Sequence, residues 1–156
     1  MKKLITFSLA ALVFVACKKK DKQPEVDNLV GQWNLTEINF TGLAELGGQT
    51  INLTGEGSDY SGGYNLKADG SMSYDTKYTL NVVVPIIGVI PFPVDASGTG
   101  TWKRNGPERL VITDENGVQE FPIKAEAAKV LILQQDTTLA AGGSPARLKL
   151  EITLRR

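Results

Sequence analysis

The 156-residue chain contains no histidine and only one cysteine. Without histidine, neither a Ser-His-Asp triad nor a Cys-His pair can be assembled, and the usual zinc ligand sets are excluded. One cysteine cannot form a disulfide within the chain, so stability must come from a buried core. No G-x-S-x-G, S-x-x-K, P-loop or dinucleotide-binding string occurs. Charge of one sign is not in excess either: 17 basic residues face 17 acidic ones. No basic patch with interleaved aromatics is present, so no nucleic-acid partner is expected. Neither catalysis, a cofactor nor a metal is expected.

What is present begins with "MKKLITFSLAALVFVAC". Lys2 and Lys3 form a basic start, Leu4 to Val15 an apolar run, and Ala16 a small residue before a cleavage point. The run is shorter than the roughly 20 residues a spanning helix needs. "FVAC" at 14–17 resembles the lipobox of bacterial lipoproteins, with Phe14 where leucine is usual. That resemblance implies a signal peptide over 1–16 and acylation of Cys17 by palmitate-like chains. The acyl chains would contribute about 0.8 kcal/mol per buried CH2 to a membrane anchor. The expected location is the cell envelope, at the outer membrane. Residues 17–28, "CKKKDKQPEVDN", lack apolar residues in any run and read as a solvated tether. The domain is then 29–156, with 11 basic and 14 acidic side chains, a balance of −3.

Helical periodicity is nearly absent from that domain, and period-2 alternation dominates. In "SMSYDTKYTLNVVV" (71–84), Met72, Tyr74, Thr76, Tyr78, Leu80, Val82 and Val84 share one face. In "RLKLEITL", Leu148, Leu150, Ile152 and Leu154 do the same. Turns are expected at "ADG" (68–70) and at "DENG" (114–117), whose Asn-Gly pair favours a tight hairpin. "KAEAAK" (124–129) has room for one helical turn between strands, and "GEGSDYSGG" (55–63) reads as a flexible loop. Its Glu56 and Asp59 are too few for calcium. Eight or nine strands follow: 31–40, 48–54, 62–67, 71–86, 90–104, 108–114, 117–123, 129–136 and 147–155. Their hairpin order predicts an all-β, antiparallel up-and-down barrel, with a two-layer sandwich as the alternative.

Residues 82–94, "VVVPIIGVIPFPV", carry no charge and three prolines. The longest hairpin reverses here, and a loop at Ile87-Gly88-Val89 would set Trp102 opposite Tyr74 and Gly98 opposite Tyr78. Pro85, Pro91 and Pro93 cannot donate to a ladder, which marks the tip as an edge or a frayed end. Its apolar residues suit four roles: extra core, a lid over the barrel mouth, a membrane contact or a partner-docking site.

"LVGQWNLTEINF" (29–40) carries the family likeness. Gly31-Gln32-Trp33 resembles the Gly-X-Trp signature of lipocalins, and "GTW" at 100–102 resembles a strand of small lipocalin-like lipoproteins of Gram-negative envelopes. The resemblance implies that Gly31 and Trp33 are structural, the tryptophan plugging the closed end. It also implies a late arginine across the tryptophan, Arg147 or Arg155, and a second motif surviving as Thr113-Asp114. Within this strand the apolar phase shifts after Leu35, which predicts a bulge near Thr36-Glu37. The implied partner is a small apolar ligand. Tyr74, Tyr78, Leu80 and Trp102 would line its interior site, with Ile86, Ile87, Val89, Ile90 and Phe92 near the mouth. The alternative is a self-filled barrel that docks on an envelope protein.

Overall fold

A computed structural model describes residues 27–156 apart from Ile86, Gly142 and Gly143. The expected signal peptide, Cys17 and most of the tether therefore lie outside the described residues, as does Ile86. Eight strands follow one another: β1 (Gly31–Leu46), β2 (Gln49–Leu66), β3 (Ser71–Val84), β4 (Gly88–Arg104), β5 (Arg109–Asp114), β6 (Gly117–Ala127), β7 (Val130–Ala141) and β8 (Ser144–Arg155). Each pairs antiparallel with the next, and β8 returns to β1, so the sheet closes as a barrel. The sandwich alternative is set aside.

Alternation decides which side faces inward. Along β3, Met72, Thr76, Leu80, Val82 and Val84 are buried, while Asp75, Lys77 and Val83 are exposed. Along β8, Leu148, Leu150, Ile152 and Leu154 are buried. The outward sides of β3 and β8 are mainly polar or charged, the reverse of a membrane-spanning barrel. The phase change in β1 is a bulge: pairing with β8 skips from Leu35 to Glu37. The extra residue turns both Trp33–Leu35 and Ile38–Phe40 inward.

Several expectations are corrected. The two strands expected at 48–54 and 62–67 are one, and "GEGSDYSGG" belongs to it rather than to a loop. Pairing with β3 slips between Ser58 and Ser61, and Asp59 takes a positive φ of 55°. That bulge bends a strand whose glycines would otherwise suggest a break. "KAEAAK" forms no helical turn, since β6 runs on through it to Ala127 with an irregularity between Ile123 and Ala125. The β3–β4 register also differs by four residues. Tyr74 faces Gly98 rather than Trp102, and Tyr78 faces Val94. Pro85 and Ile87 are turn residues, and Gly88 (φ 102°) pairs with Val84 instead of sitting mid-loop. Proline suits the first corner of a turn and glycine its left-handed exit.

The chain reversals at 68–70 and 114–117 occur as expected. Ser71 N–H and Oγ–H both donate to Asp69 Oδ1, at 2.9 and 2.6 Å. In the second turn Asp114 pairs with Gly117, which takes the positive φ, 106°.

Candidate functional site

The two ends of the barrel differ in closure. At one end Trp33 is fully buried, and its Nε1–H donates to Leu29 O at 2.8 Å. The Arg156 guanidinium lies 4.1 Å from the Trp33 ring centroid and donates to Val30 O at 2.9 Å and to Asn28 O. The arginine across the tryptophan is thus Arg156, and neither Arg147 nor Arg155. Arg147 pairs opposite Leu43, and Arg155 opposite Asn34. Nearby, Arg104 bridges Asp27 (3.0 Å) and Glu126 (2.7 Å). Asp27 Oδ1 also accepts from Leu29 N–H, so two residues assigned to the tether, Asp27 and Asn28, are bonded to the barrel.

Towards the other end the ring is incomplete. β4 pairs with β5 only over Thr101–Arg104, so among the described residues Gly88–Gly100 has β3 as its only ladder partner. β7 pairs with β6 only up to Leu133, leaving Gln134–Ala141 with β8 alone. The short β5–β6 hairpin stops between these two edges. A cavity of about 210 Å³ lies where the three meet. Tyr64, Tyr74, Thr76 and Tyr78 form one wall, from β2 and β3. Asp114, Asn116, Gln119 and Gln135 supply polar groups from β5, the turn, β6 and β7. Leu35, Ile38, Ile112 and Phe121 form the apolar floor.

The polar groups are held in place. Tyr74 O–H donates to Asp114 Oδ2 at 3.0 Å, and Asn116 N–H donates to Asp114 Oδ1 at 2.8 Å. Gln135 Nε2–H donates to Gln119 Oε1 at 3.4 Å. Tyr64 and Tyr74 stack with centroids 5.9 Å apart and planes at 29°. Gly98 makes that placement possible, because a Cβ there would lie 2.8 Å from Tyr74 Oη. Burial pushes the Tyr64 phenol well above its ordinary value, with Tyr78, Tyr74 and Asp114 adding repulsion for the ionised form. Burial raises Tyr78 as well. Tyr74 is raised by burial first and then by its bond to Asp114. The phenols therefore act as neutral donors and acceptors at neutral pH.

Of the residues anticipated for ligand contact, Tyr74 and Tyr78 line this cavity. Leu80 is instead buried in the core and does not line the cavity. Trp102 belongs to the closed end, where its Nε1–H donates to Lys67 O at 2.9 Å. Ile90 and Phe92 pack half-buried against the core, while Ile87 and Val89 are each 61% exposed at the tip. None of these four lines the cavity. Sequence reasoning missed Tyr64, Thr76, Asn116, Gln119 and Gln135 as a set. A signal existed: Gln135 follows Leu131 and Leu133 in core-facing parity, and Gln119 precedes Phe121 and Ile123. An amide at an inward position must find a polar partner or a solvated cavity.

Among the described residues, no group of three acidic, cysteine or histidine side chains converges as a metal site. No protein-family model, curated protein or solved structure matches the chain.

Proposed function

We propose that this chain is a lipid-anchored lipoprotein of the cell envelope, at the outer membrane, whose lipocalin-like barrel binds one small, largely apolar molecule. The observation that carries the binding is the cavity of about 210 Å³ between the β4 and β7 edges, floored by apolar side chains. An engineered cavity of about 150 Å³ suffices for benzene, so this one takes a ring with a short arm rather than a long acyl chain. Partial exposure of Tyr64, Tyr74, Tyr78 and Gln135 gives the site access to solvent. The anchor rests on the lipobox-like "FVAC" and Cys17, and the family likeness on Gly31-Gln32-Trp33. With the phenols neutral and no basic side chain in the lining, the site suits binding without chemistry.

A second reading, docking on an envelope protein, is favoured by the hairpin tip, where Val83 (44%), Ile87 and Val89 are exposed. Native mass spectrometry of the mature chain, released gently from cells grown in rich medium, separates the two. A discrete excess mass that disappears on organic extraction supports the binding protein. A bare mass, with no uptake of added single-ring compounds, sinks it and leaves the tip as bait for crosslinking.

A further inference from the structure

The charge of the cavity's occupant can be read from its wall. Fourteen residues line the space, and Asp114 is the only charged one among them. Among the described residues no lysine or arginine lines it: Lys77 pairs with Asp95 on the outer surface, and Arg104 and Arg156 serve the closed end. Both Asp114 oxygens are oriented, one by Tyr74 O–H and one by Asn116 N–H. Each carboxylate oxygen has a further lone pair to offer. Around it stand the rings of Tyr64, Tyr74 and Tyr78, whose negative faces attract cations.

We propose that the cavity selects a small organic monocation, a single ring or compact apolar group bearing an amine, over neutral and anionic congeners of the same size. The inference rests on the binding reading above and deepens it. The ammonium would pair with Asp114 at the rim, beside the tyrosine rings. The apolar body would lie against Leu35, Ile38, Ile112 and Phe121. An anionic ligand, a short fatty acid for example, would meet the lone carboxylate with no compensating base. Asp114 is itself only partly exposed, so water screens its charge less than at an open surface.

The test is calorimetric titration of the chain from residue 17 onward, carrying Cys17→Ser, with 2-phenylethylamine, 2-phenylethanol and phenylacetate at neutral pH. The amine is expected to bind about tenfold more tightly than the alcohol, and the acid most weakly. Asp114→Asn keeps hydrogen-bonding atoms for both Tyr74 and Asn116. It should abolish the amine's advantage over the alcohol. Equal or tighter binding of the alcohol or the acid by the unaltered chain overturns the preference, whether or not the variant folds. An amine advantage that survives Asp114→Asn overturns the assignment to this carboxylate. If none of the three probes binds, the binding reading itself falls, and the preference with it.

Discussion

Trp33 loses its last exposed face to Arg156. The guanidinium covers the indole from one side while spending its N–H groups on the carbonyls of Asn28 and Val30. Arg156→Ala should therefore destabilise the domain by about 1–2 kcal/mol, from one cation–π contact and the lost charged hydrogen bonds. Arg156→Lys should recover only part of this, because an ammonium lacks the planar fork. The midpoint of urea denaturation reads both. Tyr64 makes a pH prediction. Its folded-state value is raised above the ordinary 10.0, so the folded protein holds the phenol proton more tightly than the unfolded chain does. The stability linked to it is complete below pH 10 and is lost as pH rises beyond that. Tyr64→Phe has no proton to lose, so its melting temperature should fall less steeply above pH 10. Tyr74 and Tyr78, shifted in the same direction, leave some slope behind. Parallel slopes for both proteins would refute the assignment.

At the scale of the element, β4 is two strands in one. Thr101–Arg104 pairs with β5, Thr101 pairs with β3 as well and Trp102 N–H donates to Gly70 O, whereas Gly88–Gly100 is an edge among the described residues. Long unprotected edges invite pairing with a second chain. Pro91 and Pro93, both exposed, lie on this edge and remove two donors. The double change Pro91→Thr, Pro93→Thr should leave the monomer folded but promote self-association, visible as a concentration-dependent increase in sedimentation. A monomer at every concentration would show that the prolines guard nothing. β2 survives its glycines by bulging at Asp59. Asp59→Val, a β-branched residue at φ 55°, should cost about 1–2 kcal/mol, measured by urea denaturation.

At the scale of the whole molecule, the barrel has a locked half and an open half. The locked half joins the closed ladder to Trp33, Arg156 and the Asp27–Arg104–Glu126 bridges. The open half is a curved sheet, β4-β3-β2-β1-β8-β7, whose two outer strands lack neighbours on one side among the described residues. Local opening is easiest where the ladder is one-sided. Hydrogen exchange should therefore be fast at roughly alternate amides of Gly88–Gly100 and Gln134–Ala141, since alternate N–H groups point away from the single partner. It should be slow at Leu110–Thr113, which pair on both sides. A saturating cavity ligand should slow exchange at Ala96, Gln135 and the 114–117 turn first. Uniform exchange across both halves would contradict this division.

The sequence alone determined the all-β class, the hairpin order, the bulge after Leu35 and the inward faces of β1, β3 and β8. These follow from local rules: period-2 alternation, proline and glycine chemistry at reversals, and the phase of Trp33, Leu35, Ile38 and Phe40. Tyr74 and Tyr78 were legible as inward residues for the same reason. The β3–β4 register was not, because a shift of four residues preserves every face. Turn chemistry at Pro85 and Gly88 and the fit of Tyr74 over Gly98 settled it. Only the tertiary structure could bring Asp114, Gln119 and Gln135 to Tyr64 and Tyr74, from strands up to 71 residues apart along the chain. Closure also decided which half is open, since β5 and β6 are too short to follow β4 and β7 to their ends. Strand length is written locally, but a cavity forms only where neighbouring lengths fail to match.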